Sequence, residues 1–134
     1  MYIAAFTILS LSFSSCSNKI LFLNSTVVPA AEGYIKISKS DNDNYNVDIN
    51  ILHLTEPKKL SPPMNNYVVW IETANQGVKN LGQLNSSSGL FSSTLKAEMH
   101  TSTPFKPVRV FITAENSADI NYPGSKVVLT TNSF

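Results

Sequence analysis

The sequence predicts an all-β chain, an antiparallel β-sandwich of about seven strands, and three observations carry that expectation. Apolar residues recur at every second position through most of residues 33–130, the period of a strand with one buried face. Clusters of Asn and Asp, together with Gly and Pro, punctuate these runs at near-regular spacing. No window carries a convincing helical period, the stretch from Thr94 to Met99 being the nearest to one.

Each element follows from its residues. In Gly33–Ser38, Ile35 and Ile37 point one way and Tyr34 and Lys36 the other. Asp41-Asn42-Asp43-Asn44 is turn chemistry, because Asn and Asp tolerate left-handed backbone and bond their own chain. It makes a hairpin with Tyr45–Leu54, where Val47, Ile49 and Ile51 face inward and Asn46, Asp48 and Asn50 face water. Pro62 and Pro63 remove two ladder donors, so Lys58–Pro63 crosses between sheets. Tyr67–Glu72 is apolar nearly throughout, as in a central strand covered on both faces.

Gly77 makes the next turn, and Asn80–Leu84 is a short strand whose Gly82 allows a bulge or a close backbone approach. Phe91, Ser93, Leu95, Ala97 and Met99 form one face of the following strand. In Val108–Glu115 the inward set is Val108, Val110, Ile112 and Ala114. Tyr122-Pro123-Gly124 then turns the chain into Lys126–Leu129, the last strand. Short strands at this spacing with Greek-key crossings predict the immunoglobulin-like type of sandwich.

The N-terminal residues predict export. Their apolar run is interrupted by Ser10, Ser12, Ser14 and Ser15 and falls short of the roughly 20 residues of a membrane span. Ser14-Ser15-Cys16, behind apolar Phe13, resembles the lipobox of bacterial lipoproteins, in which diacylglycerol is added to the cysteine thiol and the signal is cut just before it. The resemblance implies a signal peptide over 1–15, lipidation at Cys16, an acylated tether over 16–30 and the β-sandwich domain over 31–134. Plain secretion and an uncleaved anchor are the other readings, and Ile20–Leu23 could also be a first edge strand. A buried structural thiol suits Cys16 poorly, since Ser and Asn surround it.

With one cysteine, no intramolecular disulfide staples the domain, so burial carries its stability. A formal net charge of +1 with 14% charged residues offers no basic stripe and no acidic run, so no nucleic-acid partner is expected.

Chemical motifs are incomplete. Asp41-Asn42-Asp43 begins like a calcium loop, yet Asn46 and Leu52 stand where that motif needs Gly and Glu. His53 and His100 are the only histidines, short of a three-ligand zinc site, and His53 continues the alternation of Val47, Ile49 and Ile51 as a strand-end residue. A blue-copper centre would need Cys16, which the lipid anchor takes. No serine lies in a nucleophile motif, and Glu72, Glu98 and Glu115 read as outward, solubilising positions. Trp70 with Tyr67 could form an aromatic platform, but a tryptophan on a central strand is more often core. No enzyme, cofactor or metal is expected.

The order of features over residues 29–131 resembles the extracytoplasmic C-terminal domain of anti-sigma-K factors. Pro29–Ile35 matches its entry strand, Val47–Leu54 its alternating strand, Tyr67-Val68-Val69-Trp70-Ile71 its aromatic-x-x-Trp strand and Leu81-Gly82-Gln83-Leu84 its Leu-Gly-x-Leu strand. Val108–Glu115, then Pro123-Gly124 before Val127-Val128-Leu129, complete the pattern, whose core signature is Tyr67, Trp70, Leu81 and Gly82. The resemblance implies a sensory or protein-contact β-domain outside the membrane. That family's sigma-binding helices have no counterpart here, and Asn116–Asn121 replaces its Gly-rich stretch.

These readings converge on a lipid-anchored, non-enzymatic module of the bacterial cell envelope, on its periplasmic or surface face, that binds a protein or polysaccharide. Loops at one end of the sandwich would make the contact, with Asn42, Asp43, Asn44, Ser87, Ser88, Ser117 and Asp119 as candidate binding residues. The alternative is a stand-alone sensor domain related to anti-sigma factors.

Overall fold

The computed structural model describes residues 18–88 and 95–134, for 86–88 the backbone alone. Among these residues eight strands succeed one another: β1 (Lys19–Leu21), β2 (Glu32–Lys39), β3 (Tyr45–Leu52), β4 (Asn66–Thr73), β5 (Val78–Ser88), β6 (Leu95–Thr103), β7 (Pro107–Glu115) and β8 (Val127–Thr130). They form one antiparallel sheet in the order β1-β2-β3-β6-β5-β4-β7-β8. Within it, β4, β5 and β6 are consecutive hairpin partners and β3 lies beside β6, a Greek-key arrangement. The Pro62-Pro63 segment and a single 3-10 turn at Pro57–Lys59 make the crossing from β3 to β4.

The sheet curls because β5 is long enough to serve two neighbours. Its first part pairs β4 and its last part, Asn85–Ser88, pairs β6. Residues from both flanks therefore meet in one core: Ile35, Val47, Ile49 and Ile51 from one side, Tyr67, Val69, Ile71, Val110 and Ile112 from the other. The curl is drawn together at its edges, since the chain after β1 leaves β2 for β8. Phe22 N donates to the Gly33 carbonyl at 3.1 Å, and Leu23 N to the Thr130 carbonyl at 2.9 Å.

The described part of the expected tether is packed on the domain: Lys19–Leu21 form a strand and the loop 22–31 returns to β2. Lys19, Ile20 and Leu21 pair with Lys36, Ile35 and Tyr34, while Phe22 and Val28 are buried in the main core. The edge-strand reading of Ile20–Leu23 holds over Lys19–Leu21.

The bulge expected at Gly82 is present. Val69 pairs with Gly82 and Trp70 with Asn80, leaving Leu81 as the extra residue, and Gly82 takes φ of 121°, open to glycine without a Cβ clash. The alternation of β3, in contrast, ends one residue before His53. That residue turns to φ of 59° and is exposed, its N–H bonding the Leu95 carbonyl, and Leu54 takes the inward place. Phe91 and Ser93 lie outside the described residues.

Turns distribute between two ends of the sheet. The register of all pairs puts the start of β1 and the turns 40–44, 74–77 and 104–106 at one end. Segments 22–31, 53–65 and 116–126 lie at the other.

Candidate functional site

The outer side of β4 and β7 carries Trp70, one of the four signature residues. Alternation sends Tyr67 into the main core and Trp70 to the opposite side, so the two rings cannot share a platform. Trp70 is fully buried with Val68 and Phe111, its ring stacked on its register partner Phe111 at 6.5 Å and 16°. Ala118 and Ile120, in the loop after β7, cover this pair. Asn80 Nδ2 holds the loop down through the carbonyls of Ala118 (3.1 Å) and Ile120 (2.9 Å).

A buried polar chain runs beneath that loop. Trp70 Nε1 donates to Thr113 Oγ1 (2.8 Å), Thr113 donates to Glu115 Oε1 (2.7 Å), and Gly124 N donates to the same oxygen (2.7 Å). Glu115, expected to face water, is only 8% exposed. Its carboxylate supplies acceptors to a loop and strand that would otherwise bury unpaired donors. Tyr67, on the inner side, donates its hydroxyl to the Thr55 carbonyl at 2.6 Å, and burial pushes its pKa up to about 12. Tyr67, Trp70, Leu81 and Gly82 all have structural work, and this surface is closed.

The outer face of β1, β2, β3 and β6 is open. Register lines its side chains into rows across the strands: Lys19, Lys36, Asp48 and His100 in one, Leu21, Tyr34, Asn50 and Glu98 in the next. Lys19 Nζ lies 4.3 Å from the Tyr34 ring centre and Lys36 Nζ 5.8 Å. Asp48 Oδ1 and His100 Nδ1 are 2.8 Å apart, both partly open to solvent. Beside these rows lies a groove of about 590 Å³, whose rim includes Glu32, Leu52 and Lys96. Leu21, on its wall, is 67% exposed.

An aromatic ring, two carboxylates, an amide and an ammonium around a shallow apolar floor can bind a polar polymer or peptide through stacking and paired hydrogen bonds. Among the described residues no group of three His, Cys, Asp or Glu could hold a metal. No helix among them is long and apolar enough to cross a membrane.

The residues expected from sequence are scattered. Asn42, Asp43 and Asn44 form the β2–β3 turn, as expected, with Asp43 at φ of 60° and Ser40 N donating to the Asn44 carbonyl at 2.8 Å. Ser87 and Ser88, expected in a loop, belong to β5 and pair with Lys96 and Leu95. Ser117 and Asp119 are exposed in the loop after β7. The turn at Asn42–Asn44 and the loop holding Ser117 start from opposite ends of the sheet, so one contact surface at one end is excluded for them. Antiparallel order decides this, and period-two patterning carries no information on it. Cys16 lies outside the described residues.

Sequence reasoning placed Tyr34, Asp48, Asn50 and Glu98 outward but missed their adjacency. The missing fact is the β3–β6 pairing, between strands some fifty residues apart in sequence, for which alternation gives no partner. No family model, no curated protein and no solved structure matches the chain.

Proposed function

We propose that the chain is a lipid-anchored, non-enzymatic module of the bacterial cell envelope that binds a surface polymer or protein on the outer face of β1, β2, β3 and β6. The observation that carries this reading is the groove beside Tyr34, Asn50 and Glu98, where ring, amide and carboxylate converge next to exposed Leu21. A finer fold description goes with it, an immunoglobulin-like β-sandwich. It is supported by the meeting of Val47 and Ile49 with Ile71 and Val110 in one core across the curl. The anchor at Cys16 is supported by Ser14-Ser15-Cys16 following a short apolar run.

Two measurements test the two halves. Intact mass of the membrane-extracted protein should equal residues 16–134 plus acyl chains, and Cys16→Ala should lose those chains. Binding of the full chain to isolated envelope polysaccharide, and photo-crosslinking to envelope proteins from position 50, should both respond to Tyr34→Ala. Loss of binding or crosslinking in Tyr34→Ala, with Ser117→Ala unchanged, supports the groove; equal behaviour of both variants refutes it.

A further inference from the structure

We infer that the end of the sheet carrying the β2–β3 turn rests on a layer of phosphate-bearing lipid headgroups, which turns the loops 53–65 and 116–126 away from the membrane. The inference rests on the lipid-anchor reading and adds an orientation to it. Its first support is length. The sheet begins at Lys19, three residues after Cys16, and three residues reach at most about 10 Å. An acyl chain on Cys16 therefore cannot hold the domain far from the bilayer. Because β1 runs antiparallel to β2, its Lys19 end points toward the β2–β3 turn, and that end is brought to the headgroups.

The second support is charge. The half of the sheet toward that end carries Lys19, Lys36, Lys39, Lys79, Lys106 and Arg109. Against them stand Asp41, Asp43, Asp48 and Glu72, of which Asp43 lies 3.6 Å from Lys39, Asp48 bonds His100 and Glu72 meets Arg109. At the opposite end, Lys58, Lys59, Lys96 and Lys126 are matched by Glu32, Glu56, Glu98 and Asp119, while Glu115 is buried. The asymmetry matches an anionic leaflet below the turn and not above the far loops. Lys19 and Lys36 are register partners flanking the Tyr34 ring, so two ammonium groups share one small area that a lipid phosphate can bridge.

The consequence for binding is concrete. Asn42, Asp43 and Asn44 become membrane-proximal and are withdrawn from partner contact. The groove keeps its Glu32 and Leu52 side toward the far end, open to the envelope.

The full chain, expressed in a bacterial host and reconstituted into vesicles of phosphatidylethanolamine and phosphatidylglycerol, tests this. A fluorophore is placed at Asn42→Cys or at Ser117→Cys, and the vesicles carry a headgroup-level quencher. The two ends of an eight-residue strand are separated by about 25 Å, ample for a short-range quencher to distinguish. Strong quenching at position 42 with little at 117 is the expected result. Equal quenching, or stronger quenching at 117, in a chain whose mass shows acylation overturns the orientation while the anchor stands. A chain with no acyl mass overturns both.

A second readout does not depend on the fluorophores. Binding of the unacylated Cys16→Ser chain to the same vesicles should weaken by about fivefold for each of Lys19→Gln and Lys36→Gln. On neutral phosphatidylcholine vesicles neither Lys19→Gln nor Lys36→Gln should change binding, and Lys58→Gln should have no effect on either kind of vesicle. Equal weakening by Lys58→Gln would also overturn the inference.

Discussion

Trp70 and Thr113 are joined by a 2.8 Å hydrogen bond from the indole Nε1 to the threonine hydroxyl, both side chains fully buried on the outer side of the curled sheet. The threonine is the hinge of the chain that continues to Glu115, since its oxygen accepts from the indole while its proton goes to the carboxylate. Thr113→Val keeps the shape and removes both roles, leaving a buried N–H without a partner. A loss of about 1–3 kcal/mol is expected, read as a lower denaturant midpoint at unchanged slope. Trp70→Ala, which removes the ring stacked on Phe111, should cost about 3–5 kcal/mol in the same experiment.

Gly124 is the far anchor of the covering loop. A Cβ there would stand 2.8 Å from Glu115 Oε2 and 3.0 Å from Oε1, so Gly124→Ala forces the turn off the carboxylate. The main core, which includes neither residue, should survive. Trp70 is the only tryptophan and reports directly on the loop above it. Gly124→Ala should shift its emission to longer wavelength and raise its quenching by acrylamide, with far-ultraviolet circular dichroism unchanged. Native-like emission in the variant would show that the loop does not depend on the Gly124–Glu115 contact.

How far the sequence could be read depends on what each residue type reveals. Val47, Ile49, Ile51, Val110 and Ile112 announce their buried face through alternation, and all five are fully or almost fully buried. Trp70 and Val68 likewise reveal β4 as covered on both sides. The partner surface of β7 was not legible, because Arg109, Thr113 and Glu115 read as a solvated face. In the folded chain, Phe111, Thr113 and Glu115 lie under a loop that satisfies the polar groups. Arg109 keeps to the margin, where its Nε meets Glu72 Oε2 at 2.7 Å. The candidate groove was invisible for a different reason. Tyr34, Asn50 and Glu98 are each correctly outward, but their meeting depends on strand order, which no local pattern encodes.

Gly33 links the edge strand to the rest of the sheet. It pairs with Ile51, and its carbonyl accepts from Phe22. A Cβ at this position would run into the Asn50 carbonyl and come within 2.9 Å of the Ile51 Cα, both backbone atoms that cannot rotate away. Glycine to alanine ordinarily favours a strand by reducing unfolded-state freedom. Here the clash reverses the sign, and Gly33→Ala should lower stability by about 1–3 kcal/mol. Hydrogen exchange should locate the damage: faster exchange at the Phe22 and Leu23 amides, with Val69 and Ile112 less affected than either. A stabilised variant would mean that β2 and β3 lie farther apart than their register requires.

Tyr67 makes stability depend on pH in the alkaline range. Its buried phenol holds its proton until about pH 12, against an ordinary value of 10.0 in the unfolded chain. Between those values the unfolded state has released a proton that the folded state retains, so stability falls as pH rises. Below pH 10 the contribution is fully present; by pH 12 it is lost, a change of about 2–3 kcal/mol. Ionisation also removes the proton that Tyr67 donates to the Thr55 carbonyl. Tyr67→Phe deletes the titrating group and keeps the ring in the core. Its stability should be lower than the parent's near neutral pH by about 1–2 kcal/mol, through the unpaired Thr55 carbonyl. The parent should then lose that advantage between pH 10 and 12. Denaturant midpoints of the two proteins measured across this range should converge and then cross; parallel curves would mean that Tyr67 ionises alike in the folded and unfolded chain.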